Sequence, residues 1–114
     1  MPSFVFRTRT YNNPVELTLA IIGGKWKMPI LWRLRDRAWR YGELKRDLGR
    51  ITHKMLSEQL RELERDGVIT RTVLGAVPAH VEYALTPLGH TTVPLIDALR
   101  AWGASYRATL GGNG

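Results

Sequence analysis

The chain has 114 residues, which suits one domain with its own hydrophobic core and is too short for two. Lys and Arg number 17 against 10 Asp and Glu, and the net charge of +7 favours polyanionic partners such as nucleic acid. The sequence contains no cysteine, which excludes disulfides, cysteine-ligated metal sites and thiol chemistry. It shows no signal peptide and no apolar run that could span a bilayer, so we expect a cytoplasmic protein without a membrane partner.

The amino-terminal part divides into an arm and a helix. Residues 1–13 mix aromatic, polar and basic side chains and are expected to form an extended arm. Asn13 and Pro14 are typical of an N-cap and a first helical position, and the apolar segment Val15–Ile22 predicts a helix that ends at Gly23. Because this helix is apolar on nearly every side, we expect it to contact both its own core and a partner.

Two further helices are predicted before residue 50. Lys25–Leu34 has a helical pattern, and Pro29 should kink this helix or displace its start toward residue 27. Arg35–Arg40 is predicted as a loop, and Tyr41–Leu48 as a short helix that buries two leucines.

The most informative segment runs from Thr52 to Gly67 and predicts one amphipathic helix. Leu56, Leu60 and Leu63 recur at helical spacing, while Thr52 is a good N-cap and Gly67 a good C′ residue. The opposite face carries polar and charged side chains: Lys54, Ser57, Glu58, Arg61 and Arg65. This pattern is typical of a helix with one buried face and one basic face.

A hairpin is predicted directly after this helix, with strands at Val68–Leu74 and Val81–Leu85 joined by a turn. A short helix, a basic-faced helix and a hairpin in this order are the sequence signature of a winged helix-turn-helix, which places one helix in a DNA major groove. We therefore predict an α+β, mainly helical fold with additional helices at both ends.

The last predicted helix runs from Thr86 to about Leu110, with a bend at Pro94, and residues 111–114 are expected to form a flexible tail. Its apolar stripe extends beyond what a small winged domain covers, which favours a helical interface between two copies. The predicted dimer interface comprises Val15, Leu19, Ile22, Leu95, Leu99, Trp102 and Tyr106. The alternative is that this helix packs only on its own domain.

Positive charge concentrates in and before the predicted helix-turn-helix, since residues 33–54 hold eight basic and three acidic side chains. The candidates for reading bases, or for contacting phosphates at the helix start, are Thr52, His53, Lys54, Ser57, Glu58 and Arg61. The candidates for phosphate contacts are Lys25, Tyr41, Lys45, Arg46 and Arg50. The alternative for each is ordinary solvated surface charge.

Several blocks of the sequence resemble the HxlR-type transcriptional regulators, a branch of the winged-helix proteins related to the MarR group. The blocks are Pro14–Glu16, Ile22–Trp26, Tyr41–Leu44, Leu56–Gly67, Val81–Thr86 with Gly89, and Ala101–Gly103. The resemblance covers residues 13–103 and implies a homodimeric regulator that binds double-stranded DNA, with a winged helix-turn-helix in each subunit, and that represses or activates nearby genes. Two recognition helices about 34 Å apart would then require a pseudo-palindromic operator.

Two positions depart from the family pattern. Many members carry a cysteine where this chain has Asn13, and some sense oxidants with it, so thiol sensing is chemically impossible here. The tip of the predicted wing, formed by Gly75, Val77, Pro78 and His80, lacks a fixed positive charge, and family members often have an Arg near the position of His80.

Other functions find less support in the sequence. Its three histidines lie on separate elements without metal-ligand spacing, so we expect no metal, no cofactor and no enzymatic activity. One alternative is a sensor that binds an apolar or aromatic effector at the dimer interface, lined by Trp26, Trp32 and Trp102. Another is an adaptor that uses the winged domain to bind a protein.

Overall fold

A computed structural model describes residues 2–111 of the chain. Its helices are α1 (Pro14–Ile22), α2 (Lys27–Arg33), α3 (Tyr41–Leu48), α4 (His53–Arg65), α5 (Pro87–His90) and α6 (Thr92–Ala108). Its strands are β1 (Phe4–Phe6), β2 (Arg9–Tyr11), β3 (Trp39–Arg40), β4 (Ile69–Leu74) and β5 (His80–Leu85). Residues 112–114 of the predicted tail lie outside the described part.

The helix starts follow the predicted signals. Asn13 Oδ1 accepts the backbone N–H of Glu16 at 3.0 Å and caps α1, which begins with Pro14. Of the two outcomes predicted for Pro29, the structure has the second: α2 begins at Lys27. Pro29 is therefore the third helical residue, where a missing N–H leaves no intrahelical hydrogen bond unmade.

The hydrophobic core lies where α2, α3 and α4 meet the sheet. Its fully buried members include Ile30, Leu31, Leu44, Leu56 and Leu63, so each of these helices contributes one apolar face. Burying a leucine or isoleucine side chain contributes about 1.5–3 kcal/mol, so this cluster stabilises the packing of the three helices against one another.

The sheet has three strands in the order β3-β5-β4, and both pairings are antiparallel. In the β4–β5 hairpin, Ile69 pairs with Leu85 and Leu74 with His80. Arg35–Arg40 was predicted as a loop, but its last two residues pair with β5 as strand β3. A two-residue strand carries no alternation that a sequence pattern could reveal.

The carboxy-terminal segment was predicted to form one continuous helix. This prediction is wrong, because Thr91 separates α5 from α6. Pro94 lacks the N–H that would bond the carbonyl of His90, so the helical ladder cannot run through this turn unbroken. Gly89 allows α5 to approach β4: a Cβ built at Gly89 would lie 1.9 Å from the carbonyl oxygen of Val68.

The predicted extended arm is also wrong, since β1 and β2 form an antiparallel hairpin in which Phe4 pairs with Tyr11. Tyr11 is buried and its ring stacks on Phe4, with centroids 5.8 Å apart. Arg7 at the turn binds the carboxylate of Asp66 through Nη2 at 2.6 Å, which attaches the hairpin to the end of α4. This long-range ion pair has no local sequence signal.

Candidate nucleic-acid interface

Helix α4 presents a polar face opposite its buried leucines. Thr52 caps it, because Thr52 Oγ1 accepts the backbone N–H of Met55 at 3.0 Å. Lys54, Ser57 and Arg61 are exposed along this face, each about one helical turn after the one before. Glu58, also predicted here, is half-buried.

Tyr41 at the start of α3 reaches across to the first turns of α4. Its hydroxyl oxygen lies 3.0 Å from Nδ1 of His53 and 3.4 Å from Oγ of Ser57. The Tyr41 and His53 rings stack with centroids 5.9 Å apart. Tyr41 was predicted to contact phosphate, and in the structure its hydroxyl contacts two other candidate residues, His53 and Ser57.

The remaining phosphate candidates lie on different elements. Arg46 and Arg50 are exposed, and Lys45 is half-exposed, at the end of α3 and in the turn that follows. Lys25 is exposed ahead of α2, with its Nζ 5.0 Å above the centroid of the Trp26 ring. Arg46 also lines a groove of about 720 Å³, together with Arg40, Tyr41 and His80. This groove lies between α3 and the wing.

The wing differs from its prediction in one important residue. Gly75, Val77 and Pro78 form an exposed, uncharged tip. The strand β4, however, carries Arg71, an exposed cation that sequence reasoning missed. Its isolated positive charge in an otherwise neutral strand was the one available signal.

Arg71 pairs with Tyr83 of β5, and both side chains lie on the side of the wing that faces α4. A groove of about 380 Å³ between α4 and the wing is lined by Arg71, Tyr83, Ser57 and Arg61, among others. Burial raises the pKa of the Tyr83 hydroxyl, and the hydrogen bond from Arg71 partly offsets this rise. The lining of the groove therefore includes the guanidinium groups of Arg61 and Arg71, the carboxylate of Glu64 and the phenol of Tyr83.

Comparison with known proteins identifies this arrangement. The model of the HxlR-like helix-turn-helix family matches residues 21–110. The chain belongs to the HxlR family. It is 51% identical over 96 residues to the HTH-type transcriptional regulator YdzF of Bacillus subtilis, covering 83% of this chain and 88% of that one.

Solved structures of related regulators have the same fold. The redox regulator HypR in its reduced form is 45% identical, with a TM-score of 0.82, over 86% of this chain and 97% of that chain. The HTH-type transcriptional regulator ytcD is 50% identical, with a TM-score of 0.79, over 83% and 97%. The protein is thus a transcriptional regulator with a winged helix-turn-helix, and regulators of this fold bind DNA.

Outside the winged domain, this HxlR-family chain exposes an apolar row along α6. Trp102 is 69% exposed and Tyr106 53%, and their rings stack with centroids 5.4 Å apart. Leu95 and Leu99 extend this row, and Val15 and Leu19 are exposed on α1. Ile22 was predicted in the same interface, but it is 2% exposed and belongs to the subunit's own core.

The three tryptophans proposed for an effector pocket occupy different environments. Trp26 and Trp32 are half-buried against the core, whereas Trp102 is exposed. Trp32 lines an apolar groove of about 350 Å³ between α2 and α6, together with Ile96 and Leu99, and neither Trp26 nor Trp102 is part of its lining.

Within residues 2–111, no helix is long and apolar enough to cross a membrane.

Proposed function

We propose that this HxlR-family protein acts as a homodimer that binds a pseudo-palindromic operator in a sequence-specific manner, without thiol chemistry. The main support for this proposal is the exposed face of α4, where Lys54, Ser57 and Arg61 lie opposite a fully buried row of leucines. A helix held this firmly can enter a major groove without losing its own packing. Basic side chains on both sides of it supply phosphate contacts.

Dimerisation is supported by the apolar surfaces of α1 and α6. A row that includes Leu99, Trp102 and Tyr106 is costly to leave in water, and contiguous apolar patches of this kind mark protein contacts. A second copy of the chain is the simplest occupant, because a twofold interface uses the same patch on both subunits. Two recognition helices about one DNA turn apart would then read two half-sites.

Thiol independence is supported by the composition. HypR, which this chain resembles in sequence and fold, is a redox regulator by name. The present chain has no cysteine, so a disulfide or sulfenic acid cannot form in it. Any control of its DNA binding must therefore act through another chemistry.

The test starts from duplexes selected by the protein from a random library. Fluorescence anisotropy then compares the selected duplex with a scrambled duplex across a salt series. We expect saturable binding to the selected duplex, a steep salt dependence, and loss of binding when Lys54 and Arg61 are both changed to Glu. Arg107→Glu on α6 reverses one charge away from the recognition helix and, as the control, should retain operator specificity.

Two results would contradict this proposal. Equal affinity for both duplexes would exclude sequence-specific recognition. The adaptor function would be favoured by two observations together on the variant with Lys54→Glu and Arg61→Glu. These are DNA binding equal to that of the native chain and retained binding of a protein partner.

A small-molecule effector is the second candidate, favoured by the groove that Trp32 lines between α2 and α6. Its lining is mostly apolar, which suits an aromatic ligand, and Leu99 connects it to the proposed dimer interface. Quenching of tryptophan fluorescence by a small aromatic library, lost in Trp32→Phe, tests this function. Quenching that persists in Trp32→Phe would place the ligand elsewhere.

A further inference from the structure

The hydroxyl of Tyr41 lies among three polar atoms of the recognition helix α4. His53 Nδ1 is 3.0 Å away, while Ser57 Oγ and the carbonyl oxygen of His53 are each 3.4 Å away. The stacked Tyr41 and His53 rings, inclined by only 12°, hold the phenol and the imidazole in a fixed relative position. Tyr41 is half-buried, whereas His53 and Ser57 are exposed.

The phenol of Tyr41 has one proton, and two acceptors of His53 lie within its reach. Nδ1 is the nearer at 3.0 Å, where the direction of the hydrogen bond depends on the tautomer, and the carbonyl oxygen is at 3.4 Å. Donation to Nδ1, the shorter contact, requires the tautomer of His53 that leaves Nδ1 unprotonated. The Ser57 hydroxyl, which can donate or accept, then gives its proton to the Tyr41 oxygen.

We propose that Tyr41 is a positioning residue that sets the hydrogen-bond polarity of the recognition helix. With Nδ1 occupied as an acceptor, His53 carries its proton on Nε2 and presents a donor outward. With its proton given to Tyr41, Ser57 presents its oxygen lone pairs outward as an acceptor. This inference rests on the proposed function, because it assigns the base edges that the same helix reads.

The two outward groups select different base edges in the major groove. A fixed N–H donor matches an acceptor on a base edge: purine N7, guanine O6 or thymine O4. A fixed oxygen acceptor matches an exocyclic amino group, which adenine and cytosine offer. We assign purine N7, the acceptor that both purines share, to His53 and a base amino group to Ser57.

Direct phosphate binding by Tyr41 is the competing interpretation. A phosphate oxygen accepts hydrogen bonds, so it would take the single phenolic proton. His53 would then need the other tautomer, in which Nδ1–H donates to the Tyr41 oxygen at the same 3.0 Å contact. The tautomer of His53 therefore distinguishes action through His53 from direct phosphate contact.

The first experiment needs no DNA. Two-bond ¹H–¹⁵N correlation spectra of the neutral imidazoles report which nitrogen of each histidine carries the proton. We expect almost only the Nε2–H form for His53 in the native protein, and in Tyr41→Phe a tautomer mixture like that of the exposed His90. Tyr106→Phe is the matched control and should leave His53 unchanged. Equal tautomer populations in the native protein and Tyr41→Phe would overturn the assignment.

The second experiment replaces each purine of the selected duplex in turn by its 7-deaza analogue, which has a C–H in place of N7. We expect one position per half-site at which native protein loses about tenfold in affinity, as for one lost hydrogen bond. His53→Ala should be insensitive at that position, and the loss in Tyr41→Phe should shrink with the fraction of His53 that carries its proton on Nε2, to about five- or sixfold for an equal mixture. No position that depends on His53, or a loss in Tyr41→Phe that departs from the measured tautomer fraction, would overturn the proposal.

The two experiments separate this inference from the proposed function. If no duplex is preferred over a scrambled one, sequence-specific binding fails and the base assignment fails with it. The tautomer measurement, made on the free protein, still decides whether Tyr41 controls the proton on His53.

Discussion

Nζ of Lys27 lies 2.9 Å from Oε1 of Glu62, and this ion pair connects α2 to the recognition helix α4. Lys27 is 5% exposed, whereas the Glu62 side chain is 38% exposed. Removing an ammonium group from water costs several kcal/mol, and the attraction to Glu62 mainly offsets that cost. The pair therefore fixes the position of α4 more than it stabilises the fold.

This unequal burial predicts unequal effects of removing each partner. Glu62→Ala leaves a buried ammonium without its carboxylate and should lower the free energy of unfolding by about 2 kcal/mol. Lys27→Met removes the charge but keeps the apolar stem and should change stability by less than about 1 kcal/mol. Urea unfolding at one fixed protein concentration measures both, with Glu58→Ala as the control on the same helix. A larger loss for Lys27→Met than for Glu62→Ala would contradict this account.

Elements with local signals were predictable from the sequence. The α3 helix spans the predicted residues, and α4 begins after the Thr52 cap and ends before Gly67, whose φ is +80°. Apolar periodicity and helix caps depend on residues only a few positions apart, so both can be recognised in the sequence. The same periodicity separated the buried leucines of α4 from its exposed polar face.

Features set by long-range contacts were not predictable. The burial of Lys27 depends on a carboxylate 35 positions later, and the amino-terminal hairpin depends on Asp66. The orientation of Arg71 follows from the register of β4 and β5, and the role of Tyr41 follows from the angle between α3 and α4. Each requires the assembled core, which no local pattern encodes.

The amino-terminal hairpin should detach when its ion pair is removed. Arg7 donates to Asp66 Oδ1 through Nε at 3.1 Å and Nη2 at 2.6 Å, and to the carbonyl of Arg65 at 3.2 Å. Arg65 also contacts Asp66, so Arg7→Ala leaves that buried carboxylate one partner and should cost only about 1 kcal/mol. We expect faster hydrogen exchange at residues 4–11. Arg9→Ala on the same hairpin is the control, and equal exchange rates in both variants would contradict a clamp by Arg7.

Arg71 should supply the fixed positive charge that the tip of the wing lacks. Arg71→Gln should weaken binding uniformly across DNA sequences and lower the slope of log affinity against log salt by about one phosphate contact. Thr72→Gln, a change without charge at the neighbouring exposed position of β4, should leave the slope unchanged. Anisotropy titrations over a salt series measure both. An unchanged slope in Arg71→Gln would mean that Arg71 does not contact phosphate.

Acid sensitivity should arise at the start of α3. The backbone N–H of Arg40 donates to Glu43 Oε1 at 2.8 Å and, with the nearby Arg37 guanidinium, holds the pKa of that carboxyl below its ordinary value. A carboxyl whose pKa is lower in the folded than in the unfolded state stabilises the fold. This stabilisation is complete above the unfolded-state pKa and is lost as the pH falls through the folded-state pKa. Glu43→Gln retains an acceptor but cannot titrate, so its unfolding free energy should fall less below pH 5 than that of the native protein. If the unfolding free energies of both proteins fell equally below pH 5, this assignment would be contradicted.

A charge in the exposed row of α6 should separate the proposed dimer. Leu99→Glu places a carboxylate among side chains that include Trp102 and Tyr106, where pairing with a second copy would have to bury it unpaired. We expect a monomer by sedimentation and a loss of operator affinity of about tenfold or more, because one subunit can engage only one half-site. Ala104→Glu introduces the same charge on the opposite side of the helix and should retain both the dimer and its affinity. If Leu99→Glu remained dimeric, the interface would have to lie away from this row, and the spacing of the two recognition helices would no longer follow from α6.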